Sequence, residues 1–558
     1  MKQVKKPTAL DAKCPLWAVA VAILVAALLV WLKPIGQDAT IAALAVAGKI
    51  PFQPSSVMGE YYFGTWTLLN QFGALALRFG LPQQYVDFSY GVLIVGANLV
   101  AYVTIINGFG AKPAFAIVAA IFCFFTGLLV QPFTSPDYPA GWVIWENPDH
   151  YTYGAAAYAG SSLVIGLLAG GRNFAAGLVS AVLIAVHPVV GAFVSGILLI
   201  GAVSCRVMMP SLRTSGLGKG FAAGLVIVII SFAVYWAMRP LPGNDIDAGS
   251  YRSYMEVWES HRVRHFRPGA LVFVLIAALG PAAVLASPWR RSSPARLAAL
   301  IALLSVAASG FLYVAFYFFR DFLPGVVVSA MPSRLISVHA AIAGAFAIGI
   351  AIWFYDGLTS KIGIRTIPPV GAVLIAAPWA ALFLLALLVL PPSVLVSAQN
   401  VAAAGQPAGF SSLALSSDSF WVAVRKAHVT APVLVAASAS TPGQREGHLP
   451  VLLDVMGFDF VPYLPFTAHG VAQIVEQGYG ISFADPPAKF ERHQGGFFLS
   501  QETGRDYWQR LGATQWRDLA DRLGFGAVLA PADWEIGLPA IASGPEFALY
   551  RVPPHEDH

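Results

Sequence analysis

Four groups of ionisable residues have the types and spacing for chemistry. Asp38 stands a few residues beyond the first long apolar run, in Pro34-Ile35-Gly36-Gln37-Asp38-Ala39-Thr40. A carboxylate there can accept a proton from a hydroxyl or hold a divalent cation. It can equally serve as the N-cap of a helix starting near Ala39. The second group is Trp145-Glu146-Asn147-Pro148-Asp149-His150-Tyr151, where two carboxylates, an imidazole and aromatic rings suit a sugar or a metal. The same composition also fits a polar turn with aromatic anchors at a membrane surface. The third is Arg252, His261, Arg262, Arg264, His265 and Arg267, a set of guanidinium and imidazole groups suited to phosphate. The fourth is Arg320-Asp321 with Arg334 and His339. Glu60, Glu146 and Asp149 are the other carboxylates placed to act as a base if Asp38 is only a cap.

The elements that must carry these groups are membrane helices. The 558 residues are 57% hydrophobic and 11% charged, with a mean hydropathy of +0.67. A soluble domain is nearer 45–50% apolar and about 25% charged. Runs such as 16–33 and 367–391 are continuous rather than alternating, and about 20 such residues cross a hydrocarbon core as a helix. Spans are expected near 16–33, 88–108, 113–131, 153–170, 174–189, 190–206, 218–238, 268–288, 296–318, 332–354 and 367–391. The 174–206 stretch reads as two helices hinged at His187-Pro188, or as one broken helix. His187 itself reads as a hydrogen-bonded residue of the break. Cys14, Cys123 and Cys205 fall at or inside spans and are expected as unpaired thiols.

Charge orients the helices. With a cytoplasmic N-terminus, the inner loops hold fourteen Lys and Arg against two acids, Asp11 and Asp356. The C-terminus then lies outside, and the chain is expected in the plasma membrane. The segment 239–267 runs against this bias, with five Arg and two His on the outer side. The stretch 59–80, GEYYFGTWTLLNQFGALALRFG, is amphipathic and is expected to lie along the membrane surface.

The fold class is therefore mainly α: a polytopic membrane domain of about eleven spans over 1–391, followed by a small soluble α/β domain over 392–558. The second part has 10 Lys and Arg against 16 Asp and Glu, net −6, while the first part is net +11. Short apolar runs at 432–438, 526–531 and 548–552 read as strands, and 467–478 and 501–523 as helices. The C-terminal part contains no Gly-rich phosphate loop, HExxH or GxSxG.

This layout resembles the GT-C class of membrane glycosyltransferases, which use polyprenyl-phosphate-linked sugars. The resemblance rests on Gln37-Asp38 after the first span, the 59–80 stretch, and a C-terminus closing on WRDLADRLGFGAVLAP and EFALYRV. That class often has a paired acidic motif where this chain has Gln37-Asp38. The resemblance implies that Asp38 is the general base and that outer arginines neutralise the departing lipid phosphate. Together with the residue groups above, this leaves Glu146, His150, Arg252, His261, Arg262, His265, Arg320 and Arg334 as the expected substrate-binding residues, and Asp38, Glu60 and Asp149 as the expected catalytic carboxylates. A divalent cation, magnesium or manganese, stays open. The expected partners are the lipid bilayer, a polyprenyl-phosphate-linked sugar donor, and a glycan, lipid or protein acceptor, with no nucleic acid. Three other readings stand beside this one: a polysaccharide polymerase or ligase, a transporter or flippase, and an assembly scaffold.

Overall fold

The computed structural model describes residues 14–32, 38–130, 153–208, 214–238, 247–258, 268–286, 294–319, 322–323, 335, 342–362, 418–454, 460–492, 496–497, 499–500 and 502–553. Most of them are helical, and a small sheet lies near the C-terminus. The bundle helices are α1 (Leu16–Leu32), α5 (Gln83–Gly108), α6 (Pro113–Val130), α7 (Tyr153–Ala169), α8 (Asn173–Val186), α9 (Pro188–Met208), α10 (Leu217–Met238), α12 (Pro268–Ala286), α13 (Pro294–Phe319) and α14 (Ala343–Ile362). Between them lie the shorter α2 (Asp38–Val46), α3 (Val57–Gly64), α4 (Leu68–Arg78) and α11 (Ala248–Ser253).

Among the described residues, four helices are long and apolar enough to cross a membrane: Gln83–Gly108, Pro188–Val207, Leu217–Met238 and Pro294–Phe319. Helix α14 begins at Ala343, later than the expected span at 332–354. The expected span at 367–391 and the linker at 396–417 lie outside the described residues.

Small residues set the packing. A Cβ at Gly220 would collide with the Phe174 carbonyl, and one at Gly177 with the Leu217 carbonyl, so α8 and α10 approach backbone to backbone. Close approach of this kind is how apolar helices associate where burial from water gives no drive. Helix α10 presents Val226, Ile229, Ile230 and Trp236 outward, as a lipid-facing helix would. His187 separates α8 from α9 in an extended conformation (φ −149°, ψ 104°), and Pro188 opens α9. The chain therefore turns from one helix to the next at His187-Pro188, because proline offers no N–H to continue the first.

At one end of the bundle, Arg172 donates to the Cys14 carbonyl, Gly108 abuts Ala169, and Gly171 abuts Pro294. At the other end, α2, α3, the start of α5 and residues 247–258 meet the C-terminal segment. That segment holds a four-stranded sheet of β1 (Val433–Val435), β4 (Ala527–Pro531), β5 (Ala540–Ser543) and β6 (Phe547–Arg551), in the order β1-β4-β6-β5. β1 runs parallel to β4, and the remaining pairs are antiparallel. β2 (Glu491–Arg492) and β3 (Gly496–Phe497) form a separate short ribbon. Trp508, Trp516, Trp534 and Tyr479 are buried beside the main sheet, with Trp508 5.5 Å from Trp534 and 5.6 Å from Tyr479 between ring centroids.

Candidate functional site

The stretch 59–80 forms two helices rather than one. Ser56 caps α3: its hydroxyl accepts from the Gly59 amide at 3.1 Å and donates to the Gln53 carbonyl at 2.7 Å. The chain then leaves helical geometry at Thr65, and α4 restarts at Leu68. Thr67 sits at the N-cap position of α4 but commits its hydroxyl to the Val186 carbonyl at 2.9 Å, at the end of α8. The break between the two helices is thereby fixed to the bundle. In helix α4, Leu68, Ala74 and Leu77 face inward, while Phe72 and Leu75 are exposed.

Glu60 lies in the first turn of α3 and is partly buried, and loss of water pushes its carboxyl pKa above the ordinary range. A carboxylate with raised proton affinity is better matched to proton abstraction near neutral pH than an ordinary one. On the same helix Tyr62 is buried, and its hydroxyl donates to Gln444 Oε1 at 2.7 Å. Tyr61 stacks on Phe460 with 4.7 Å between ring centroids. Met58 Sδ accepts from the Asp454 amide at 3.3 Å, and the Asp454 carboxylate in turn accepts from the Ser440 hydroxyl at 2.8 Å. Helix α3 is thus held against the C-terminal segment along its length.

The strongest tie in this seam is ionic. Arg445 Nη2 lies 3.3 Å from Asp87 Oδ2, and its Nη1 lies 2.6 Å from Glu446 Oε1. The Arg445 and Asp87 side chains are only 3% and 1% exposed. Two carboxylates around one guanidinium balance the desolvation that either sign of charge suffers alone. A second tie comes from residues 254–258, a π-helical turn after α11. There Trp258 Nε1 donates to the Phe483 carbonyl at 2.8 Å, and the two rings stack.

Beside α3, Trp66 Nε1 donates to the Ser231 hydroxyl at 3.0 Å, and that hydroxyl donates to Gln71 Oε1 at 2.8 Å. Tyr235 donates to the Gly64 carbonyl at 2.7 Å. Tyr62, Thr65, Thr67, Asn70, Gln71 and Tyr235 help to line a cavity of about 30 Å³. That is room for about one water molecule and not for a sugar ring, so a ligand here would need the aromatic walls to part.

The chain matches no family model, no curated protein and no solved structure. The expected site residues are distributed as follows. Asp38 is the first residue of α2, with its side chain outside the described residues. Arg252, in the last turn of α11, is exposed and pairs with Glu256 at 2.8 Å. Glu146, Asp149, His150, His261, Arg262, His265, Arg320 and Arg334 lie outside the described residues. Among the described residues, no three His, Cys, Asp or Glu side chains gather as metal ligands. Cys14, Cys123 and Cys205 are buried and form no disulfide with one another.

Sequence reasoning missed the Arg445–Asp87–Glu446 cluster and the Tyr62–Gln444 bond, which join residues more than 350 positions apart. One signal was present. Asp87 is an acid at the mouth of a long apolar helix, a costly place that calls for a partner.

Proposed function

We propose that the chain is a multi-pass membrane glycosyltransferase, acting on a polyprenyl-phosphate-linked sugar at the outer face of the plasma membrane. The observation that carries the reading is Glu60: a partly desolvated carboxylate on a helix clamped between the bundle and the C-terminal segment. In the proposed step the acceptor hydroxyl oxygen bonds to the anomeric carbon of the sugar. The bond from that carbon to the phosphate oxygen breaks, and its electron pair leaves with the lipid phosphate. The acceptor proton passes to Glu60, and outer arginines (Arg252, Arg262, Arg320 and Arg334) stabilise the charge on the leaving phosphate. The reading places the N-terminus in the cytoplasm, about eleven spans in the membrane, and residues 392–558 outside.

The buried Arg445–Asp87 pair favours an enzyme over a carrier. It fastens the C-terminal segment to the mouth of α5, and opening it would strand buried charges at a cost of about 3–5 kcal/mol. The test is incubation of the full chain in nanodiscs with tritiated polyprenyl-phosphate sugars and a mixture of glycan and lipid acceptors. Transfer of label with release of polyprenyl phosphate is the expected result. Donor that stays intact throughout would overturn the proposal. Intact donor that crosses the bilayer of proteoliposomes would instead identify a flippase.

A further inference from the structure

The end of α2 and the C-terminal segment bring three basic side chains together that the catalytic reading does not use. Helix α2 closes with Gly48 in the left-handed region (φ 77°), and the Lys49 amide returns to the Leu44 carbonyl at 2.9 Å. This helix-ending turn projects Lys49 beyond the last turn of α2, where its side chain is exposed. Helix α2 packs on the helix Ser440–Arg445, and His448 follows three residues after that helix. Arg425, on the helix Ser419–Lys426, donates to the Glu446 carbonyl, which holds its guanidinium over the same loop.

We propose that Lys49, Arg425 and His448 form a binding site for a phosphate group, at the seam between the first outer loop and the C-terminal segment. His448 has a positive φ of 54°, a conformation that is unfavourable for a side-chain-bearing residue and persists only where the surroundings impose it. Its Nε2 is buried without a hydrogen-bond partner, an unmet polar group that an anion reaching it would satisfy. Burial, then the Arg425 charge, then the Lys49 charge push the imidazole pKa down to about 4. The ring therefore already lies in a positive field, which an anion would relieve. The nearby acids do not supply that anion: Asp87 and Glu446 both serve Arg445. Among the described residues Lys49 makes no ion pair. Lys and Arg together suit phosphate, one as a point charge and the other as a fork. The site is independent of whether the chain transfers sugar.

The test is calorimetric titration of inorganic phosphate into the full chain in phosphatidylcholine nanodiscs at constant ionic strength. Lys49→Met and His448→Asn are each expected to weaken binding on the order of tenfold, as loss of one charge-assisted hydrogen bond does. Asparagine tolerates the left-handed backbone, so His448→Asn tests the imidazole and not the turn. Lys112→Met, at the opposite end of the bundle, should bind phosphate as wild type does. Repeating the titration with phosphatidylglycerol in the nanodiscs separates the sources. Phosphate excluded by that lipid identifies a headgroup as the occupant, and unchanged binding identifies a soluble phosphate compound. Absence of phosphate binding to wild type in phosphatidylcholine, or equal affinity in Lys49→Met and His448→Asn, would overturn the proposal.

Discussion

Asp87 lies in the first turns of α5 and is almost fully buried, where an ionised carboxylate out of water costs several kcal/mol. Arg445 repays that cost from 358 residues away, and Glu446 balances the second positive edge of the guanidinium. Arg445→Met should therefore destabilise the protein by about 3–5 kcal/mol, since it strands two carboxylates. Adding Asp87→Leu should recover part of the loss, because removing both partners is cheaper than removing one. Thermal unfolding in detergent, read from the tryptophans of the C-terminal segment, measures both. Glu60 presents the opposite case. Burial raises its pKa, so folding favours the protonated form; the stability that form contributes is present at low pH and is lost as pH rises through the raised folded-state value. Glu60→Gln should thus leave stability at pH 7 equal or slightly higher. Wild-type activity should fall as pH drops through that raised pKa, as for any base that must be ionised. A stability loss in Glu60→Gln would mark the carboxylate as structural. Both sites were only half legible in the sequence. The acids at 60 and 87 stand out beside apolar runs, but no local spacing connects residue 87 to 445 or residue 62 to 444. Those pairings exist only once the chain has folded back on itself.

The helices were far more legible than their ends. A continuous apolar run has few ways to satisfy its backbone in lipid, so α5, α6, α9, α10 and α13 start and stop within about five residues of the hydropathy pattern. His187-Pro188 broke 174–206 into two helices because proline chemistry is local. The strands at 433–435 and 527–531 also fall inside the expected runs, and 547–551 begins one residue before its own, since short apolar segments between turn residues suit a sheet. The stretch 59–80 was harder. Its periodicity continues through Thr65-Trp66-Thr67, but the bundle captures the Thr67 hydroxyl and the Trp66 indole, and those tertiary bonds override the local pattern. Glycine carries the α8–α10 contact, so Gly220→Ala should force the helices apart and cost about 1–3 kcal/mol. Gly218→Ala, two residues away and open, should cost nothing and serves as the control in the same unfolding series.

Across the whole molecule, charge and contact divide the chain in two. The first 391 residues are net +11 and the remainder net −6. The acidic part rests on the bundle end formed by α2, α3, the start of α5 and residues 247–258, through Gln444, Arg445, Phe460 and Phe483. On the proposed topology that end is extracytoplasmic. A phosphatase reporter fused after residue 400 should be active, and a reporter that works only in the cytoplasm would reverse the orientation. The docked arrangement holds α3 against the C-terminal segment, where the Glu60 carboxylate is partly buried. The measurement that bears most directly on this account is single-turnover cleavage of a polyprenyl-phosphate sugar by wild type and Glu60→Gln in nanodiscs, with unfolding temperature recorded on the same samples. Wild type is expected to cleave the donor, and Glu60→Gln to lose about 10²-fold or more, as removal of a general base produces, with an unfolding temperature no lower than wild type. Equal cleavage by the two proteins, or none by either, would contradict it.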